Sequence, residues 1–448
     1  MFNLDGQKVL ILGLGMSGRS AAGFCEARGA RVVAADERPG EDIPGIDELD
    51  AGIERRLDQT FPDPGAFDLV VPSPGVPPAR YKERAHRIWG DVELAWHALS
   101  IPVIAVTGTN GKSTTTLLIE ALLRRAGYRA RAGGNIGEPV LSLVGEALDV
   151  AVIEVSSFQL ETTDAFRPQI AVVLNITPDH LDRHGSFEAY RSAKARILMN
   201  QQDDDIAVLN HDDPVVAALA DRVRGRAIPF RTAGPLKSGG WLDLDSVVLR
   251  NDAGETDRVS LDGLKLRGIH NLENTVAAIT AVWAFGADPQ KAARALADFD
   301  GLSHRMERVG ETGGVTWIND SKATNPGAAM RSIESIDAPL VWIAGGRDKD
   351  LDFGALADLA SRRVRAAILL GETRAKLADA LGDRIAIESV ESLDEAVRRA
   401  ATLARSGDVV LLAPACASQD QFRDFEERGD RFRAAVHALA NHAGIRKS

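Results

Sequence analysis

Val103-Ile-Ala-Val106-Thr107-Gly108-Thr109-Asn110-Gly111-Lys112-Ser113-Thr114 decides how this chain is read. Four apolar residues predict a strand. A glycine-rich turn follows, and the spacing after Lys112 predicts a helix to about Ala126. Strand, glycine-rich loop and helix in this order form a phosphate-binding loop. The glycines let backbone N–H groups close around an anion, Lys112 adds a point charge, and the Ser113 hydroxyl can hold Mg²⁺. A strict motif would place glycine at position 106, where this chain has Val106.

Outward from this loop, short apolar runs alternate with helical patterns. The runs are Lys8–Leu12, Arg31–Ala35, Asp68–Val71, Val150–Glu154, Ile170–Leu174, Val315–Ile318, Leu340–Ala344, Ala366–Leu370 and Val409–Leu412. That alternation predicts an α/β architecture with largely parallel sheets. Between about Arg226 and Leu266 the pattern changes to short strands with glycine turns, which predicts antiparallel strands attached to the middle of the chain. Boundaries are expected near Ser100 and in the stretch Phe299–Gly314.

The composition excludes several classes. Lys+Arg (53) against Asp+Glu (64) gives a net charge of −11, so nucleic acid is not an expected partner. Hydrophobic residues at 45% and charged residues at 26% fit a globular protein. No apolar run reaches the ~18 residues of a membrane span, so no membrane insertion is expected. The two cysteines, Cys25 and Cys416, cannot form a disulfide framework or a zinc cluster. They are read as packing residues, and the expected compartment is a reducing cytoplasm.

Further motifs stand at predicted strand ends. Gly13-Leu-Gly15-Met16-Ser17-Gly18, with Asp36 closing the next strand, places a diphosphate on a helix N-terminus. Taken alone it supports a nicotinamide-dependent oxidoreductase, a reading that leaves the phosphate loop unexplained. Glu154 ends a strand where a carboxylate can reach Mg²⁺ on a triphosphate. His180, in Asn175-Ile-Thr-Pro-Asp-His180, can hold a metal or polarise an oxygen, whereas His184 reads as a solvated loop histidine. Lys194 shares a helical stripe with Phe187, Tyr190, Ile197 and Leu198, so it either snorkels at the core edge or is buried and easily deprotonated. A neutral amine can act as a base or add CO₂ to become a carbamate. Trp317–Pro326, Gly345–Lys349 and Ala413–Ser418 follow later strands in the same way. A nucleotide-gated binding protein without catalysis is a third reading.

Read in order, TGTNGKST, GGNIG (133–137), EVSSFQLE, DHLDRHGS, GIHNLEN (268–274), SHRME (303–307), NDSKATN and PACASQDQFRDFEERG make the chain resemble the Mur ligases over essentially its whole length. SSFQLE and DSKATN resemble most the member that adds D-glutamate. The resemblance implies three domains. Residues 1–99 would be a Rossmann-like UDP-sugar domain. Residues 100–301 would be a central P-loop ATPase with a mostly parallel sheet plus short antiparallel strands. Residues 302–448 would be a second Rossmann-like domain for the amino acid and ATP.

The implied activity is ATP-dependent amide ligation of D-glutamate to UDP-N-acetylmuramoyl-L-alanine through an acyl phosphate, in peptidoglycan precursor synthesis. A different amino-acid specificity within the family is the nearest alternative. The implied ATP contacts are Gly108, Thr109, Asn110, Gly111, Lys112, Ser113, Thr114, Asn271, Arg305 and Asp320. Two Mg²⁺ sites are implied, one at Ser113 and Glu154, the other at His180 and a CO₂-derived carbamate on Lys194. Lys112, His180 and Lys194 would be catalytic. The UDP-sugar would meet Gly15, Met16, Ser17, Asp36, Glu37, Arg38, Ser73, Gly75, Asn135 and His180. D-Glutamate would meet Lys322, Thr324, Lys349, Ser418 and Phe425. Sites divided between domains imply closure on binding, and a monomer is expected.

Overall fold

A computed structural model describes residues 3–266, 268–299, 301, 303–348 and 351–445. The chain divides into two compact units, Met1–Phe299 and Asp300–Ser448.

The first unit contains two sheets. One is all-parallel, in the order Glu54–Leu57, Arg31–Asp36, Lys8–Leu12, Leu69–Pro72. The chain leaves Lys8–Leu12 toward one edge and later returns to its other side, which opens a crevice at its carboxyl end. Residues 13–18 occupy that end. Gly18 lies against the turn so closely that a Cβ there would sit 1.9 Å from the Gly13 carbonyl oxygen. Only glycine permits that approach of helix to strand.

The second sheet has nine strands. Its order is Thr256–Ser260, Ser246–Arg250, Gly239–Asp243, Arg226–Arg231, Ile206–Asn210, Ile170–Val173, Val103–Thr107, Val150–Glu154, Ala130–Gly134. Contrary to the sequence expectation, Arg226–Arg231 is not antiparallel. It runs parallel to Ile206–Asn210, because the helical turns Pro214–Ala217 and Ala218–Arg222 carry the chain across between them. Antiparallel pairing is confined to the last three strands. Helix Lys112–Ala126 buries Leu118, Ile119, Leu122 and Leu123, spaced along one face. Each such burial contributes about 1.5–3 kcal/mol. The face packs on Ile104 and Val106 and on helix Ile269–Ala284.

The two sheets share one apolar cluster that runs from Val9 and Ile11 to Ala105 and Ile153. Polar ties reinforce it. The buried Glu93 carboxylate accepts the N–H groups of Asp164, Ala165 and Phe166 at 2.8–3.1 Å. The Gln159 amide donates to both oxygens of Asp91 at 3.2 and 3.0 Å.

The second unit has six strands in the order Glu307–Thr312, Val315–Asn319, Val409–Leu412, Leu340–Gly345, Val364–Leu370, Ala386–Ser389. All pairs are parallel except the first. Leu340, Trp342 and Ala344 enter one apolar layer, while Val341 and Ile343 enter the other. A strand covered on both faces explains the unbroken apolar runs of the sequence. Among the described residues, no helix is long and apolar enough to cross a membrane. Cys25 and Cys416 are buried and unpaired, and burial pushes their thiols up to about 12 and about 11.

Candidate active site

The loop Gly108–Gly111 leads from strand Val103–Thr107 into helix Lys112–Ala126 as the sequence predicts. Gly111 caps the helix in the left-handed region at φ 82°, and a Cβ there would meet Asn274 Oδ1 at 2.2 Å. No acidic residue occupies the first turn, so the N-terminal N–H groups and helix dipole present positive potential. The loop is braced from strand Ile170–Val173. Asn110 N–H donates to Asn175 Oδ1 at 2.8 Å, and the Asn175 amide returns a bond to the Asn110 carbonyl at 3.2 Å. Thr109 contacts Thr177 O and Tyr190 Oη at 3.1 and 3.0 Å.

Lys112 Nζ donates to the carbonyls of Gly108 and Thr109 at 2.8 and 3.0 Å. Lys194 Nζ donates to the same Gly108 carbonyl at 2.8 Å. Lys194 is 1% exposed. Burial, then the charge of Lys112, hold its amine well below the usual lysine range. The stripe assigned from sequence is therefore buried to its polar end.

Glu154 pairs in register with Val106, beside the start of the loop. Its Oε1 accepts from Asn135 Nδ2 at 2.8 Å, and its buried Oε2 has no hydrogen-bond partner. Such an orphaned oxygen suits a cation, because an unpaired buried carboxylate oxygen is costly. Ser113 is buried at the helix start. Among the described residues, no group of three or more His, Cys, Asp or Glu side chains is placed to hold a metal. Mg²⁺ needs no such cage, since it keeps waters and takes substrate phosphate oxygens.

His180 sits in the left-handed region at φ 52°, half-exposed, with Nε2 3.6 Å from Asp179 Oδ2. His184 corrects the sequence reading. It is no solvated loop residue: its side chain is 1% exposed and stacks on Phe158. Its Nε2 lies 3.0 Å from Ser157 Oγ and its Nδ1 3.2 Å from Glu161 Oε1. Burial holds its imidazole below the usual range, against the opposing pull of Glu161. Ser157 is buried as well, so this serine–histidine–glutamate row clamps the loop and offers no accessible nucleophile.

At the other sheet, Gly15 caps helix Met16–Glu26, again without an acidic first turn, and Met16 is exposed. Asp36 accepts four bonds, from Leu14 N–H and from Arg38 N, Nε and Nη2. Burial raises its pKa, but the bonds from Arg38 and Leu14 outweigh that and lower it overall. These bonds fill its acceptor sites, so Asp36 braces the glycine turn and has no free lone pair for a ribose hydroxyl. Glu37 pairs with Arg80 at 2.9 Å, and Ser73 Oγ donates to Gly13 O at 2.6 Å. Gly75 has open space around it.

In the second unit, Asp320 is buried at a strand end and accepts from Ser332 Oγ and, at 3.3 Å, Met306 N–H. Burial raises its pKa. Lys322 Nζ lies 3.7 Å from the Phe425 ring centroid. Thr324 N–H donates to Lys322 O at 2.8 Å, and Ser418 is buried. Arg305 flanks Asp320 electrostatically. Asn271, in helix Ile269–Ala284, is part-buried and accepts from Thr275 Oγ1 at its carbonyl. Lys349 lies outside the described residues.

The chain is 43% identical to the UDP-N-acetylmuramoylalanine–D-glutamate ligase of Geotalea daltonii, over 98% of both chains. It is 44% identical to the enzyme of that name from Pelotomaculum thermopropionicum, over 97% of this chain and 98% of the relative. The chain belongs to the Mur ligase family. Its segments match the family's MurD-like N-terminal domain at 7–86, the middle domain at 106–282 and the glutamate ligase domain at 304–416. The Mur ligase fold is shared with Thermotoga maritima MurC, UDP-N-acetylmuramate–alanine ligase. The TM-score is 0.64 at 20% identity, over 97% of this chain and all of that one. A pseudomurein peptide ligase type C from Methanothermus fervidus gives 0.61 at 18% identity, with the same coverage.

Some buried polar residues escape sequence reasoning. Asp91 and Glu93 are charged yet buried, and nothing in their spacing marks them. Tyr190 reads as plain core, although its hydroxyl reaches Thr109.

Proposed function

We propose that the protein joins the amine of D-glutamate to the L-alanyl carboxylate of UDP-N-acetylmuramoyl-L-alanine, driven by ATP. The reading is carried by one arrangement: a phosphate loop whose Gly108 carbonyl holds both Lys112 and the buried Lys194, beside the orphaned oxygen of Glu154. The names of the 40–44% identical relatives support the choice of amino acid. An oxidoreductase gains nothing from this arrangement, and Asp36 is already committed within the protein.

A carboxylate does not react with an amine until one oxygen becomes a leaving group. The alanyl carboxylate would attack the γ-phosphorus of ATP, giving an acyl phosphate and ADP. The amine of D-glutamate would then attack the acyl carbon, and inorganic phosphate would leave. Carboxylate and triphosphate repel each other, so the chain must supply positive charge. Lys112 would turn from its loop carbonyls to the phosphates, and the N–H groups at Gly111–Ser113 would orient them. Ser113 and Glu154 would hold one Mg²⁺, with Asn135 fixing the carboxylate. His180 and a carbamate on Lys194 would hold a second. Bound Mg²⁺ supplies charge neutralisation of the phosphate oxygens. The carbamate is supported by the burial of Lys194, because a neutral amine is the form that adds CO₂.

The substrate's diphosphate is assigned to Gly15, Met16 and Ser17, with Arg38 and Glu37 at the neighbouring strand end. Lys322, Thr324, Lys349, Ser418 and Phe425 would receive the two carboxylates and backbone of D-glutamate. The test is phosphate release from ATP with UDP-N-acetylmuramoyl-L-alanine and, in turn, D-glutamate, L-glutamate, L-alanine, L-lysine or diaminopimelate. Release with D-glutamate alone is expected. Release with another of them instead would overturn the assigned specificity.

A further inference from the structure

Arg428 is 2% exposed, yet among the described residues no carboxylate shares its hydrogen bonds. Its guanidinium donates to four neutral oxygens. Nε reaches Ser321 Oγ at 3.0 Å, and Nη2 reaches Ser321 O at 2.8 Å. Nη1 reaches the carbonyls of Cys416 and Ala417 at 3.1 and 3.3 Å. Ser321 Oγ in turn donates to the Phe425 carbonyl at 2.8 Å.

These partners are not scattered. Ser321 immediately precedes Lys322, and Ala417 immediately precedes Ser418. One planar fork thus fixes the backbone on the N-terminal side of two assigned receptors, and through a hydroxyl it fixes the carbonyl of a third. Asp420 acts on this guanidinium only through its field, and burying a guanidinium without a hydrogen-bonded carboxylate is unfavourable; an apolar side chain of similar volume would fill the space at lower cost. What an apolar residue lacks is the set of donors in fixed geometry. Lysine also lacks it, having a single nitrogen in place of the fork.

We propose that Arg428 is a positioning residue for the incoming amino acid, holding the loops of Lys322, Ser418 and Phe425 at their mutual spacing. The inference rests on the assignment of those three residues to D-glutamate. Arg428 itself would not touch substrate, because its guanidinium is bonded to protein oxygens. Its loss should therefore weaken amino-acid binding and leave the nucleotide steps intact.

The test compares wild type, Arg428→Lys and Arg428→Ala by steady-state phosphate release, varying each of the three substrates. Arg428→Lys keeps the charge and guards against a variant that fails to fold. The expected result is a rise of roughly tenfold or more in KM for D-glutamate. KM for ATP and for UDP-N-acetylmuramoyl-L-alanine should stay within about twofold, and kcat at saturating D-glutamate should change little. Added guanidinium ion should lower the raised KM of Arg428→Ala, a rescue that a merely space-filling role would not give. An unchanged KM for D-glutamate in both variants overturns the proposal, as does a common rise of all three KM values. The wild type run alongside keeps the two readings apart. If it releases no phosphate with D-glutamate, the assigned function fails; if it saturates normally while the variants match it, only the role of Arg428 fails.

Discussion

Lys112 and Lys194, 82 positions apart in the chain, donate to one and the same acceptor, the carbonyl oxygen of Gly108, each at 2.8 Å. Two ammonium groups on one oxygen repel each other, and the buried one yields its proton more readily. In the proposed mechanism the part-buried Lys112 would turn to phosphate, while the buried Lys194 would supply the reactive amine. Substitution separates these roles. Lys194→Ala should lower phosphate release by about 100-fold or more, the scale of a lost electrostatic contact in a dry site. Millimolar formate or acetate should restore part of it if a carboxylate is what the site requires. A variant with wild-type turnover would remove Lys194 from the mechanism.

Glu154→Gln tests the orphaned oxygen. The amide keeps the shape and places a neutral group where Oε2 now lies. The Mg²⁺ concentration at half-maximal activity should rise by about tenfold, with the fold unchanged by circular dichroism. An unaltered Mg²⁺ titration would show that the cation sits elsewhere.

Gly111→Ala meets two obstacles at once, a left-handed backbone and Asn274 Oδ1 at 2.2 Å from the new Cβ. Strain of about 1–3 kcal/mol is expected. Because helix Ile269–Ala284 must give way, both the urea midpoint and ATP affinity should fall. Gly15→Ala, where nothing lies within 4 Å of the added carbon, is the matched control and should leave the midpoint unchanged.

Asp91 gives a pH signature. Burial raises its pKa, although Gln159, the Val92 N–H and Ser17 oppose the shift. A carboxyl whose folded pKa exceeds its unfolded value contributes stability that is fully present below the unfolded value, about 4, and is lost as pH rises through the folded value. Wild type should therefore lose stability relative to Asp91→Asn as pH climbs above about 4. Urea denaturation of both proteins across that range measures it. Parallel curves would mean that Asp91 titrates alike in the folded and unfolded chain.

Much of the fold was legible because parallel strands buried on both faces leave unbroken apolar runs. Leu340–Gly345 and Val409–Leu412 are of this kind. Strands with polar sequences were not legible. Glu54–Leu57 and Ala386–Ser389 are sheet edges, whereas Arg226–Arg231 lies where strands are expected and differs only in direction. Its direction depends on the connection before it, which local pattern does not encode. The phosphate loop was readable because glycine and lysine are required at fixed offsets. Its bracing by Asn175 and Tyr190 was not, since those contacts join residues 65 and 81 positions apart. His184 was misread for a related reason: its burial is created by Phe158 and Tyr190, and the sequence around it offers no sign of that cage.

The two internal bonds of Lys112 bear on turnover. Because the Lys112 ammonium bonds to the carbonyls of Gly108 and Thr109, the loop carries a built-in competitor for anions. A lone orthophosphate must displace two internal bonds to gain one cation. A nucleoside triphosphate offsets the same loss with several further contacts along the loop. After the bond is made, the two carbonyls stand ready to take the lysine back. Such a loop would favour the triphosphate over orthophosphate and ease the departure of the small product, through the same pair of bonds.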